Sequence, residues 1–268
     1  MNDKFLKLCI APTEIFWGDK KQNLKNLPLI FNHIHPETDL LVLPELFSTG
    51  FTSDKSIETF KDMAESNSGQ TVMLLKKLSE THNIAIAGSF MAESDNKLYN
   101  RAFFIEPAGD EYFADKRHLF SLGGEDLVFN PGNTRLKVRY RGWKIALIVC
   151  YDLRFPVWCR NRKNEYDLLL CVANWPASRI ETWDTLLKAR AIENLSYVCG
   201  VNCTGIDNKD AEYNGLSKVY NYSGKDITVK ISDDGLLYAS LSMQKLENYR
   251  DKFTFWKDID KFTIEDIG

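Results

Sequence analysis

Three residues stand where apolar runs of the chain end, and their chemistries complement one another. Glu45 follows Leu40-Leu41-Val42-Leu43-Pro44, Lys116 follows the strand-like Glu111–Ala114, and Cys150 follows Ile145-Ala146-Leu147-Ile148-Val149. A free thiol has a pKa of about 8.5, so at neutral pH it needs a base or a nearby positive charge before it attacks. A carboxylate hydrogen-bonded to the thiol is such a base, and an ammonium beside it can tune it to work as both base and acid. Attack on an amide carbon builds an oxyanion. Lys116 and the backbone N–H of Tyr151 are the candidate donors to it, each typically worth about 3–4 kcal/mol. The set reads as thiol chemistry on a small carboxamide.

Taken singly, each residue has a plainer explanation. A cysteine ending an apolar strand is more often inert core, Lys116 beside Arg117 fits a solvated surface, and Glu45 after Pro44 fits a loop charge. A cysteine–histidine pair is the competing chemistry. His118, two positions beyond Lys116, shares its face if that segment is extended, although support for the pocket wall is its simpler role.

The elements needed to gather these residues are legible. Short apolar runs at Leu6–Ala11, Leu40–Leu43, Ile84–Ala87, Ala102–Ile105, Ile145–Val149, Leu168–Ala173 and Tyr197–Val201 have the length of buried strands. Between them, Asn23–His33, Gln70–Thr81 and Thr182–Leu195 repeat apolar residues at helical spacing. Alternating strands and helices indicate an α/β fold, in which ligand sites form beyond the carboxyl ends of strands. Segments Lys218–Tyr222, Ile227–Ile231 and Leu236–Leu241 predict a closing β-meander with turns at Ser223-Gly224 and Asp233-Asp234-Gly235. No linker or low-complexity stretch interrupts the chain, so a single domain over 1–268 is expected.

Composition narrows the function. The 268 residues are 44% hydrophobic and 26% charged with a net charge of −3, an ordinary globular balance without the basic footprint of a nucleic-acid binder. No apolar stretch approaches the ~20 residues of a membrane span, and the first residues lack the apolar core of a signal peptide. Six cysteines without framework spacing then suit reduced thiols in the cytoplasm. Cys9, Cys171, Cys199 and Cys203 are expected as small buried hydrophobes. Four histidines, only His33 and His35 close together, form no convincing metal site.

The blocks around the three residues are recognisable together. Leu43-Pro44-Glu45-Leu46-Phe47, Asp115-Lys116-Arg117-His118-Leu119-Phe120 and Val149-Cys150-Tyr151-Asp152-Leu153-Arg154-Phe155-Pro156 resemble the three catalytic blocks of the nitrilase superfamily of carbon-nitrogen hydrolases. Ala189-Arg190-Ala191-Ile192-Glu193-Asn194 resembles its supporting helix. The likeness runs from Lys7 through the meander. Leu153–Trp158, Val172-Ala173-Asn174-Trp175-Pro176 and the aromatic tail from Tyr249 resemble the bacterial omega-amidase branch. The resemblance implies a four-layer α-β-β-α sandwich and no cofactor or metal. It makes Glu45 the general base, Lys116 the oxyanion partner and Cys150 the nucleophile. It puts a second carboxylate on Glu125, or on Asp126 if the permissive Gly123-Gly124 pair shifts the loop. Val157 stands where many relatives carry glutamate, which argues against the carbamoyl-hydrolysing branches.

For that branch the implied substrates are 2-oxoglutaramate and 2-oxosuccinamate. Arg154 is a candidate anchor for their carboxylate, with an ion pair to Asp152 or another acid as its alternative role. Phe47, Phe120, Phe155 and Trp175 are candidates to narrow the pocket. The resemblance also implies a homodimer or larger homo-oligomer, to which the tail from about residue 243 contributes unless it packs on its own domain. Hydrolysis of another small amide, acyl transfer to an amine, and a catalytically silent binding module are the alternatives. The complete Glu45, Lys116 and Cys150 set weighs against the last.

Overall fold

The computed structural model describes residues 3–51, 56–231 and 235–264. Strands β1 (Phe5–Ile10), β2 (Leu40–Val42), β3 (Ala85–Ser94), β4 (Lys97–Ile105) and β5 (Glu111–Asp115) lie side by side in one sheet. Strands β6 (Leu136–Tyr140), β7 (Trp143–Val149), β8 (Leu168–Ala173) and β9 (Tyr197–Asn202) run in reverse order through a second. The apolar runs are continuous because both faces of each strand are covered. Along β7, Ile145, Leu147 and Val149 point into the core between the sheets, whereas Ala146 and Ile148 point outward under helices. Strand β8 alternates in the same way, with Leu168, Leu170 and Val172 inward and Leu169, Cys171 and Ala173 outward.

Helices α1 (Lys20–Ile30) and α3 (Gln70–His82) cover the outer face of the first sheet through Leu24, Leu27, Val72 and Leu75. Between them lies the shorter α2 (Ile57–Met63). On the second sheet, α4 (Pro156–Cys159) and α5 (Ile180–Asn194) bring Trp158, Trp183, Leu187 and Ala191. Helix, sheet, sheet and helix make the four-layer α-β-β-α sandwich. The chain closes with α6 (Met243–Lys252).

Two expectations shift. Helix α1 starts at Lys20 rather than Asn23, because Asp19 is the residue that caps it, accepting from the Gln22 N–H at 2.9 Å. Asn23 turns inward and bonds the Phe16 backbone and the Ser48 carbonyl. The closing segments do not form one meander. After the small hairpin of β10 (Thr204–Ile206) and β11 (Glu212–Asn214), β12 (Lys218–Tyr220) pairs with β9 in the second sheet. Strands β13 (Val229–Lys230) and β14 (Leu237–Ser242) join the first, where β14 pairs with β1. Val219 on β12 and Leu241 on β14 both enter the core between the sheets, which apolar patterning alone cannot assign to one sheet or the other. The Ser223-Gly224 turn forms, with the Gly224 N–H on the Asn221 carbonyl at 2.8 Å. Asp233 and Asp234 of the other expected turn lie outside the described residues.

Strand direction positions the chemistry. Strands β1, β2 and β3 are parallel, β4 turns back, and β5 runs with β3 again. Glu45 and Lys116 therefore leave the same edge of the first sheet. In the second sheet β7 and β8 are parallel, so Cys150 and Asn174 leave a common edge.

Candidate active site

Glu45 lies beyond β2 on a turn in which Leu46 has a left-handed φ of 45°. Ser89 on β3 holds that turn, its Oγ accepting from Leu46 N at 2.8 Å and its carbonyl from Phe47 N at 3.2 Å. Lys116 leaves β5 with its N–H on the Asn100 carbonyl at 2.9 Å. Its ammonium, 1% exposed, donates to Glu45 Oε1 at 2.9 Å and to the two Glu125 oxygens at 2.9 and 2.8 Å. A second donor, Asn100 Nδ2, reaches Glu45 Oε1 at 2.8 Å, and the Asn174 backbone N–H reaches Oε2 at 2.9 Å. Glu125 also accepts from Phe120 N at 2.7 Å and is buried, whereas Asp126 beside it is exposed.

Cys150 is the hinge between β7 and the short 3-10 turn Cys150–Arg154, with a φ of 46° that non-glycine residues seldom adopt. Two contacts over-determine this bend. Asp152 accepts from Val149 N at 3.1 Å and from His118 N at 2.9 Å, which joins the cysteine turn to the lysine segment. Arg190 on α5 donates twice to the Leu153 carbonyl, at 2.7 and 3.2 Å. Tyr151 sits in the first turn of the 3-10 segment, where backbone N–H groups have no partner within the helix.

The charges are strongly tuned. Burial works against the Lys116 ammonium, yet Glu125 and Glu45 outweigh it and hold its pKa well above the usual lysine value. Burial raises the Glu125 carboxyl above its ordinary range, with the Lys116 charge opposing. The Cys150 thiol is pushed well above its ordinary value by burial first and then by the Glu45 charge, with Lys116 pulling the other way. Glu45 also hydrogen-bonds that thiol. Burial and Glu45 thus favour the neutral form of the Cys150 thiol.

These groups form one end of a cavity of about 320 Å³. Glu45, Lys116, Cys150, Glu125, Tyr151, Arg154, Phe120 and Trp175 all line it. Phe47 does not, since it packs against Phe103 on the helix side of the first sheet. Phe155 does not either. It stacks on His118 with ring centroids 3.7 Å apart. His118 faces Asp152, 2.7 Å from its Nδ1, and serves as support for the wall rather than as a partner of the thiol. Arg154 makes no ion pair with Asp152; its guanidinium lies 5.0 Å from the Trp175 ring centroid. Asn100, the Asn174 N–H and Arg179 were not singled out for roles from sequence. Asn100 lies inside a strand with no local signal, and Arg179 joins the cavity only through the fold. Among the described residues no cluster of three or more His, Cys, Asp or Glu side chains could hold a metal ion.

The family model for carbon-nitrogen hydrolases matches residues 8–251. The chain belongs to the carbon-nitrogen hydrolase family. This hydrolase is 40% identical over 260 residues to the omega-amidase YafV of Escherichia coli K12, covering 97% of this chain and 98% of that protein. It is 30% identical to the 2-oxoglutaramate amidase of Bacillus subtilis, over 92% of this chain and 95% of the relative. Among solved structures it superimposes on XC1258 from Xanthomonas campestris with a TM-score of 0.91 and 35% identity, over 99% and 100% of the two chains. That structure is described as a CN-hydrolase superfamily protein with an arsenic adduct in its active site. Within the nitrilase superfamily this carbon-nitrogen hydrolase falls in the omega-amidase branch, whose reaction is amide hydrolysis.

Proposed function

We propose that the protein hydrolyses the terminal amide of a dicarboxylic 2-oxo acid monoamide, 2-oxoglutaramate or 2-oxosuccinamate, through a thioester on Cys150. The observation that carries this reading is the Lys116 ammonium bridging Glu45 and Glu125 at the end of the cavity where Cys150 lies. The names of the two relatives support the substrate class.

Glu45 takes the thiol proton as Sγ attacks the amide carbon, so no free thiolate is needed at rest. The oxyanion then meets Lys116 Nζ and the Tyr151 N–H. Glu45 returns the proton to the nitrogen, the C–N bond breaks, ammonia leaves, and the acyl group stays on Sγ. Glu45 next removes a proton from water, whose hydroxide attacks the thioester. Sγ departs and recovers that proton from Glu45, and the carboxylic acid is released. Throughout, Glu125 keeps Lys116 charged and fixed. Arg154, exposed in the cavity wall, is suited to the far carboxylate.

The test is a coupled ammonia assay on 2-oxoglutaramate, 2-oxosuccinamate, glutamine and asparagine, with intact-mass spectrometry after a substrate pulse. Turnover of the oxo acids and an acyl adduct lost in Cys150→Ala are the expected results. Normal turnover by Cys150→Ala ends the mechanism, and preference for the amino acids ends the substrate assignment.

One catalytic domain over residues 1–268 and assembly as a homodimer or larger homo-oligomer belong to the same proposal. Val157 on α4 is 54% exposed three residues beyond the nucleophile's turn, which supports a subunit contact there. The tail favours its own chain, since Tyr249 packs on Tyr222 with tilted rings and Arg250 bonds Asp167 and the Leu195 carbonyl. A monomer in light scattering would remove the assembly part.

A further inference from the structure

Two guanidinium groups stand in the wall of the active-site cavity without a carboxylate of their own. Arg135, Arg141, Arg190 and Arg250 each pair with an acid. Arg154 and Arg179 both line the cavity and are exposed, and among the described residues neither forms an ion pair. Each lies instead over an aromatic face, Arg154 at 5.0 Å from the Trp175 centroid and Arg179 at 5.5 Å from the Phe120 centroid. An aromatic platform orients a guanidinium without neutralising it, so its charge and its N–H fork stay available to an anion.

Both platforms are held rigidly. Trp175 N donates to Asn202 Oδ1 at 2.7 Å, and Asn202 Nδ2 donates back to the Trp175 carbonyl at 2.9 Å. The same indole donates Nε1–H to the Arg179 carbonyl at 2.9 Å, so one ring seats the head of Arg154 and the backbone of Arg179. Phe120 is tied through its N–H to Glu125, the carboxylate that clamps Lys116. The acid at this wall, Asp207, is engaged within its own loop by the Lys209 N–H, the Ala211 N–H and the Tyr213 hydroxyl. Apart from Lys116 and its two glutamates, the cavity lining carries Arg154, Arg179 and Lys209 against Asp207, a net positive charge that favours an anion.

We infer that Arg179, acting with Arg154, determines which amides the site accepts. With the amide carbon at Cys150, the far end of a short ω-amide points toward these guanidiniums. They take its carboxylate, and they oppose an ammonium on the adjacent carbon. A 2-oxo group at that carbon is neutral and only accepts hydrogen bonds, so it meets no such opposition. The pair thus separates 2-oxo acid amides from glutamine and asparagine by charge. The choice of substrates rests on the function proposed above, while the recognition of an anion at Arg179 does not.

The experiment compares wild type with Arg179→Ala and Arg179→Lys on 2-oxoglutaramate, glutamine and the uncharged butyramide. A parallel arm measures how much 2-oxoglutarate protects Cys150 from iodoacetamide, itself a small carboxamide toward which Glu45 can activate the thiol as it would toward a substrate. Loss of one charge-assisted contact is expected to raise KM for 2-oxoglutaramate about 10- to 100-fold in Arg179→Ala, with kcat changed far less. The 2-oxoglutaramate-to-glutamine ratio of kcat/KM should fall with it, Arg179→Lys should recover part of the loss, and protection should need correspondingly more 2-oxoglutarate. An unchanged KM with unchanged protection overturns the inference. So does an equal loss on butyramide, which marks a merely structural role. Should wild type leave 2-oxoglutaramate intact yet gain Arg179-dependent protection, the inference stands and the proposed substrate falls. Absence of protection in wild type overturns the inference whatever the turnover.

Discussion

Replacing Lys116 by methionine removes the ammonium that two buried carboxylates share, while keeping the length and apolar bulk of the stem. In the wild type, three carboxylate oxygens lie within 2.9 Å of Nζ. Breaking a buried ion pair from one side typically costs about 3–5 kcal/mol, and two dependent carboxylates put this site toward the upper end. For a chain of this size, a loss of about 4 kcal/mol lowers Tm by about 8–16 °C. The deficit depends on pH, and its sign follows from linkage. Burial already raises Glu125 in the wild type while the Lys116 charge opposes it, so without Nζ the Glu125 carboxyl titrates further above its unfolded value in the folded variant. A carboxylate raised in the folded state destabilises it as pH climbs past the unfolded value, and the penalty fades as pH falls and the proton is retained. Calorimetry of both proteins between about pH 8 and about pH 5 should show the deficit greatest at the alkaline end and shrinking toward the acid end. In the same variant kcat should drop about 10²–10³-fold, the loss of one oxyanion donor. A deficit that is flat in pH, or that grows on acidification, would refute the shared-ammonium account.

Three further outcomes are expected. Because burial and Glu45 push the Cys150 thiol well above its ordinary value, ultraviolet titration of the resting enzyme should show no thiolate step for it near that value; a step there would mean a preformed nucleophile. Glu125→Gln should act at a tenth or less of the wild-type rate, roughly one charge-assisted bond, and should lose the acid limb that the raised Glu125 carboxyl sets. An unmoved limb in the kcat/KM profile would assign it elsewhere. Asn100→Leu removes a 2.8 Å donor from Glu45 but leaves the backbone bond that seats Lys116. The kcat should then fall about tenfold, roughly one charge-assisted bond, with the Tm little changed, and an unchanged kcat would refute a positioning role for Asn100.

Much of this site was legible because its residues sit at the ends of uninterrupted apolar runs, where a strand must stop and a side chain can face solvent. Glu45 and Cys150 announce themselves in that way, and Lys116 follows the strand-like Glu111–Ala114. Glu125 does not; its loop is irregular, and only the resemblance pointed to it, while the structure distinguishes it from Asp126 by burial. Asn100 was invisible because it lies inside β4, where a polar residue on a strand ordinarily means a solvated face. Its partners come from segments 55 residues away in the chain and from the lysine across the sheet. Arg179 lies just before α5 and reaches the cavity through packing on Phe120 that no periodicity encodes. The closing strands were found as strands, but their division between two sheets follows from tertiary packing, and both choices satisfy the same apolar pattern.

The muted sulfur of Cys150 bears on how well the protein withstands oxidants. Peroxide converts cysteine to sulfenic acid, and then beyond rescue, in proportion to its anionic fraction. A thiol whose surroundings favour the protonated form offers oxidants little to attack. Such an enzyme should outlast, under peroxide, a counterpart that keeps its sulfur permanently ionised.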